Sequence, residues 1–154
     1  MNWDEYFYKL AELTALKSKD QHTKIGAVIV GPNNEIRSTG YNSFPRGLID
    51  TLQSRQERPE KYFWFEHAER NAIYNSARVG TPTDGCRMFV SCGIPCADCA
   101  RAVIQAGIVE VIIAVYGSRS DQNPEKWKDS AHRSTQMFKE SGVSMRRYFF
   151  KGFE

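Results

Sequence analysis

The stretch "CRMFVSCGIPCADCARAVIQAGIVEVIIAVY", residues 86–116, decides the fold. Its opening, "CRMFVSC", is short and apolar, the pattern of a buried strand. "CADCARAVIQAG" follows a proline and reads as a helix that Gly107 stops. "IVEVIIAVY" is again β-branched and predicts a second strand. Strand, helix and strand in that order predict a right-handed parallel crossover, and hence a sheet covered by helices.

Working outward, "NPEKWKDSAHRSTQMFKESG" predicts a helix with Asn123 as N-cap, Pro124 in the first turn and Gly142 after its end. "VSMRRYFF" then predicts a last strand. On the N-terminal side, "HAERNAIYNSARVG" is helical and ends on Gly80. Trp3, Tyr6, Leu10, Leu13 and Leu16 recur at spacings of three and four, which predicts an amphipathic first helix. "KIGAVIVG", the turn "PNNE" and "EIRSTGYN" predict a hairpin. Residues 41–65 carry no clean periodicity, and a loop this long inside a compact domain is often functional. The order α, β, β, α, β, α, β, α, β belongs to the α/β class. With no repeat, low-complexity tract or linker, residues 1–154 are expected to form one domain.

Composition excludes several classes. A 41% hydrophobic and 25% charged chain is that of an ordinary globular protein. A net charge of +3, with no block of like charge, does not announce a nucleic-acid partner. "MNWDEYFYKL" lacks the basic flank and apolar run of a signal peptide, and no window approaches the roughly 18 apolar residues of a membrane span. The expectation is a soluble, cytoplasmic protein with no membrane partner. In such a reducing compartment paired cysteines bind metal more often than each other.

That sharpens the meaning of Cys96 and Cys99. Cysteines at i and i+3 share one face of a helical turn, and a helix N-terminus stabilises their thiolates. His67 and Glu69 sit two apart at the start of the preceding helix. His67, Cys96 and Cys99 make three ligands for a tetrahedral Zn2+, leaving one position for water. Cys92 offers an alternative, a closed structural site with Cys96, Cys99 and His67. Glu69 weighs toward the open site. A closed site has no use for an adjacent carboxylate, whereas an open one needs a base, because two thiolates cancel the charge of zinc and leave bound water less acidic. Cys92, at the end of a strand, then packs as a small apolar residue.

H-A-E followed by P-C-x-x-C resembles the signature of the zinc-dependent nucleobase deaminases. "KIGAVIV", "GYNSFPRG", "RPEKYFWFEHAERNAI" and "PCADCARAVIQAGI" together resemble the cytidine and deoxycytidylate (dCMP) deaminases, over about residues 18–115. The resemblance implies a three-layer cytidine-deaminase-like fold, a five-stranded mixed sheet flanked by helices. It implies hydrolytic deamination of dCMP to dUMP, which supplies thymidylate synthesis. Glu69 would take a proton from water and deliver protons to N3 and the departing amino group. Beyond the chemistry it implies one catalytic Zn2+ per chain, a homohexamer, activation by dCTP and inhibition by dTTP, with Mg2+ accompanying the triphosphate. "SCGIPC" and the stretch "YGSRSDQNP" depart from the family's pattern.

Further roles follow from the same resemblance. Asn42 matches the asparagine that hydrogen-bonds the substrate's sugar, though asparagine also suits a turn. Ile25 matches an apolar residue against the base, or is simple core. Ala68 matches the position whose backbone amide meets the pyrimidine carbonyl. Arg46 and Arg78, together with Arg55, Arg58 and Lys61, are phosphate or regulatory candidates, because arginine matches phosphate geometry; each is otherwise a solvated charge. Phe44, Tyr62, Phe63, Trp64 and Phe65 form an aromatic loop suited to a subunit contact, part of it walling a nucleotide site. His22 and His132 have no ligand-like spacing. Rival readings are a deaminase of dCTP, free cytosine or tRNA adenosine, and a zinc-stapled binding module without turnover.

Overall fold

A computed structural model describes residues 1–115 and 124–149. The elements run α1 (Trp3–Ala15), β1 (Gly26–Val30), β2 (Ile36–Tyr41), α2 (Lys61–Trp64), α3 (Ala68–Val79), β3 (Arg87–Val90), α4 (Ala97–Gln105), β4 (Glu110–Val115), α5 (Pro124–Ser141) and β5 (Ser144–Phe149). This is the expected order, with two additions inside the 41–65 loop: α2 and a 3-10 turn at Gln53–Gln56. The expected N-cap Asn123 lies outside the described residues.

The strands form one mixed sheet in the order β2-β1-β3-β4-β5. The turn after Gly31 closes with the Gly31 amide donating to the Glu35 carbonyl at 2.7 Å, and Asn34 takes the left-handed φ of 64°. Asparagine tolerates that conformation, so the "PNNE" hairpin forms and β1 pairs β2 antiparallel. β3 and β4 pair in parallel, as do β4 and β5, each pair joined through one helix.

Period-two alternation divides the strands between two cores. Val28, Val30, Phe89 and Ile112 face α1, against Phe7 and Ala11. Ala27, Ile29, Met88, Val90, Val111 and Ile113 face the other way, with Ala68 and Ala72 of α3, Ala100 and Val103 of α4, and Phe138 of α5. The molecule is therefore three layers, α1 on one side of the sheet and α3, α4 and α5 on the other. This is the expected α/β architecture.

The buried face of α1 corrects the periodicity reading. Phe7, Tyr8, Ala11 and Ala15 are buried, whereas Trp3, Leu13 and Leu16 of the apolar stripe are 57%, 62% and 67% exposed. The reason is close approach. A Cβ on Gly26 would lie 2.0 Å from the Ala11 carbonyl oxygen, so the helix backbone rests almost directly on β1. At that point of contact only small side chains fit, and Ala11 and Ala15 stand there.

Candidate active site

Two helix starts meet because of strand direction. Tyr41 at the end of β2 pairs with Gly26, and Val90 at the end of β3 pairs with Ala27 next to it. β2 and β3 are both antiparallel to β1 between them, so their C-terminal ends lie at one edge of the sheet. The helices that follow them start there. His67 is the N-cap of α3 and Cys96 the N-cap of α4, with Cys99 in the first turn.

The His67 Nδ1 lies 3.4 Å from the Cys96 Sγ and 3.5 Å from the Cys99 Sγ. All three donor atoms lie within 4.8 Å of one another, and among the described residues no other donor joins the group. Zinc bonds of about 2.3 Å to sulfur and about 2.0–2.1 Å to nitrogen, at a tetrahedral angle, set sulfur and nitrogen about 3.6 Å apart. The observed spacings match, so the donor set fits zinc with a fourth position open. Cys92 stays out of the group and packs against the core, which disfavours the closed four-ligand alternative.

The surroundings favour an anionic Cys96 sulfur. The first-turn amides of α4 and its dipole face the thiols. One of those amides, Ala97 N–H, donates to the Ser130 Oγ of α5 at 2.8 Å, which ties α5 to the cysteine-bearing turn. A hydrogen bond from Cys99, reinforced by His67, holds the Cys96 thiol down to about 4. The same bond and burial hold the Cys99 thiol above its usual range. Burial alone would lower the His67 imidazole, but its bond to Cys96 and the charge of Glu69 leave it raised.

Glu69 sits in the first turn of α3 and is 4% exposed. Burial pushes its carboxyl pKa up. A carboxylate that holds a proton more readily than usual is suited to receive one and return it.

The site opens into a cleft of about 880 Å³, lined by His67, Ala68, Glu69 and Cys96 at its metal end. That volume is within the roughly 300–1,000 Å³ of small-molecule pockets. Ile25 and Asn42 also line it. Asn42 is more heavily engaged than a substrate contact alone requires. Its Oδ1 accepts from the Ile25 amide at 2.8 Å, and its Nδ2 donates to the Thr23 carbonyl at 2.8 Å and to Asp20 at 3.2 Å. Only a second lone pair of Oδ1 remains for a ligand.

The cationic candidates are rearranged. Arg46 donates to Asn75 at 2.7 Å and does not line the cleft; nor does Arg78, which is exposed near the end of α3. Arg55 stacks on the Trp64 ring at 3.6 Å, and Lys61 is buried in an ion pair with Asp20. Of the loop cations, Arg58 lines the cleft with no such partner among the described residues. Sequence reasoning missed three further basic residues that line the cleft, Lys128, His132 and Arg147. His132, which had no assigned role, stands on the cleft-facing side of α5. Arg147 was legible by alternation, since Met145 packs on the α5-facing core and β5 returns to that face two residues later. Arg146, one residue away, turns to Asp4 and Glu110 instead.

Comparison with known proteins agrees with this geometry. The family model described as the cytidine and deoxycytidylate deaminase zinc-binding region matches residues 1–115. The chain is 37% identical to deoxycytidylate deaminase of Homo sapiens, over 98% of this chain and 82% of that protein. It is 38% identical to the Mus musculus enzyme, over 96% and 80%. Among solved structures, dCMP deaminase of the cyanophage S-TIM5 in complex with dCMP and dUMP superposes with a TM-score of 0.72 at 26% identity, covering 94% of this chain and 95% of that one. An α/β sheet that brings a histidine and two cysteines to zinc spacing beside a buried glutamate, in a sequence matched over these spans, places this chain in the cytidine and deoxycytidylate deaminase family.

Proposed function

We propose that the chain hydrolyses dCMP to dUMP and ammonia. The observation that carries this reading is the His67, Cys96 and Cys99 group at zinc spacing, with buried Glu69 beside it at the end of a nucleotide-sized cleft. Zinc held by those three residues supplies a Lewis acid that acidifies water in the site. Glu69 takes one proton from the attacking water and delivers it to N3, then takes the remaining hydroxyl proton of the C4 adduct and passes it to the amino group, which leaves as ammonia as the C4 carbonyl forms. The Ala68 amide, in the first turn of α3, has no intrahelical acceptor and is available to the pyrimidine carbonyl. Ile25 packs against the base. Asn42 accepts from a sugar hydroxyl through its remaining lone pair.

The phosphate is assigned to Arg58, Lys128, His132 and Arg147, all of which line the cleft. None of the four has an acidic partner among the described residues, which supports a role toward an external anion. A nucleotide therefore suits the cleft better than a bare base or nucleoside.

The remaining expectations are those that the sequence resemblance implies. Exposed Leu48, Ile49, Leu52 and Phe63 give the 41–65 loop an apolar face suited to a homo-oligomer, the hexamer of the resemblance. Activation by dCTP and inhibition by dTTP, with Mg2+ carried by the triphosphate, complete the reading. No helix among the described residues is long and apolar enough to cross a membrane. The dependence on two thiolates fits a reducing, cytoplasmic setting.

Ammonia release measured across cytidine, dCMP, dCTP and deoxyadenosine nucleotides tests the assignment. dCMP should give the highest kcat/KM. Equal turnover of the bare nucleoside, or preference for an adenine nucleotide, would overturn it.

A further inference from the structure

Asp20 and Lys61 are buried charges that the chemistry above does not use. They are 2% and 7% exposed, and Lys61 Nζ lies 2.6 Å from Asp20 Oδ2. The carboxylate is saturated with donors. Its Oδ1 accepts from the backbone amides of His22 at 2.8 Å and Thr23 at 3.1 Å, and its Oδ2 also accepts from Asn42 Nδ2 at 3.2 Å. One carboxylate thus joins three segments: the approach to β1, the end of β2, and α2.

Each of those segments lines the cleft. Thr23, Ile25 and Asn42 come from the first two, and Arg58, Tyr62 and Phe65 from around α2. α2 is four residues long with no side-chain cap, so it has no stability of its own. Its place is set by anchors. At its C-terminal side, Ser43 and Glu66 exchange backbone hydrogen bonds at 3.1 and 2.8 Å. The other ties between this loop and residues 18–22 include a Lys19–Asp50 bridge, amide contacts of Gln21 with Gln53 and Gln56, and hydrogen bonds from Gln56 Nε2 to the Lys19 carbonyl and from Ser18 Oγ to the Asn42 carbonyl. Lys61–Asp20 is the buried charged one.

A buried ion pair is a costly way to hold a loop down, since an apolar pair of similar volume would hold it as firmly. What it adds is register. A short, directional bond to a carboxylate already aimed by two backbone amides allows α2 one position.

We infer that Asp20 and Lys61 are positioning residues for the substrate: the pair seats α2 so that Arg58, Tyr62 and Phe65 take their places in the lining of the cleft that Lys128, His132 and Arg147 also line. This rests on the nucleotide reading of the cleft. Neither residue takes part in proton transfer. Their effect falls on how the phosphate-bearing ligand is held.

The test uses the zinc-loaded enzyme and the variants Lys61→Met, Lys61→Arg, Asp20→Asn and the Asp20→Asn/Lys61→Met pair. KM and kcat are measured on dCMP and deoxycytidine, with zinc content and amide hydrogen exchange over residues 58–66. Lys61→Met should raise KM for dCMP about tenfold or more, the scale of one charge-assisted hydrogen bond, with a smaller change in kcat. It should speed exchange in 58–66 and leave zinc bound. Lys61→Arg should restore KM, and the double variant should recover part of the loss because no charge is left buried alone. If Lys61→Met does not fold, Asp20→Asn, which keeps the volume, carries the same expectation. A lowered melting temperature with parental KM and exchange would overturn the inference and leave only a stabilising role. Failure of the parent on dCMP would instead refute the substrate assignment; the variants are then read on whichever nucleotide the parent turns over.

Discussion

Gly40→Ala should damage the active site from the far side of a helix. Gly40 lies buried in β2, where α3 crosses it. A Cβ there would sit 2.2 Å from the Ala72 nitrogen, 2.5 Å from the Ala68 oxygen and 2.8 Å from the Ala72 Cα. All three are backbone atoms, so no side chain can swing away. Reaching ordinary van der Waals contact requires α3 to retreat by roughly 1 Å. Three hydrogen bonds resist that retreat: Ser38 Oγ to the Ala72 carbonyl at 2.8 Å, Asn71 Nδ2 to the Tyr41 carbonyl at 2.8 Å, and Asn75 Nδ2 to the Thr39 carbonyl at 2.7 Å. Overpacking costs about 1–3 kcal/mol, and with those bonds strained the upper part of the range applies, a melting temperature about 5–10 °C lower in a chain of this size. The functional effect is larger. His67 caps the same helix and lies 3.4–3.5 Å from both sulfurs, so displacement breaks the zinc spacing and moves Glu69 with it. A misplacement of about 1 Å costs roughly 10²-fold in rate. Thermal melting by circular dichroism, zinc by atomic absorption and kcat/KM on dCMP report the three effects together. A Gly40→Ala protein with parental melting temperature, full zinc and kcat/KM within about threefold would refute the close-approach argument.

Glu69→Gln is nearly isosteric and touches no zinc ligand position, so turnover should fall by about 10⁴-fold or more while zinc content and melting temperature persist; activity within tenfold of the parent, with zinc verified, would remove the proton-shuttle role. His67→Ala should lose metal as well as activity, read by the same metal analysis. The parent should carry about one zinc per chain, and removing it with a chelator should lower the melting temperature and make Cys96 and Cys99 available to a thiol reagent; a second tightly held zinc would reveal a missed site. Arg147→Ala should lower kcat/KM on dCMP by about tenfold or more and leave deoxycytidine nearly unchanged, whereas Arg46→Ala should change neither. Equal loss on both substrates would take the phosphate away from β5.

Local chemistry made most of the scaffold legible. Helix starts at His67 and Cys96, the stop at Gly107, the hairpin at "PNNE" and the alternation of strand and helix after Gly85 depend on neighbours a few residues apart. The metal group was legible for the same reason, since i and i+3 cysteines and an H-A-E turn are local patterns. The face of α1 was not. Spacing gives the amphipathic period, but which face is buried depends on how near the helix approaches the sheet, and Gly26 set that distance. The surroundings of the loop cations were not legible on similar grounds. Charge in a loop says nothing of where the loop packs, and Arg46, Arg55 and Lys61 proved to be occupied by Asn75, Trp64 and Asp20.

The amino-acid sequence by itself determined the element order, the zinc donors and the glutamate beside them, because each is written in short-range pattern. Tertiary structure alone decided that β2 and β3 end at one edge and so bring two helix starts together. It also decided that Asp20 is a buried hub rather than a surface acid, and that Lys128, His132 and Arg147 line the same cleft as Arg58. Those relations join residues far apart in the chain, through strand pairing and close backbone contact, and no local spacing encodes them.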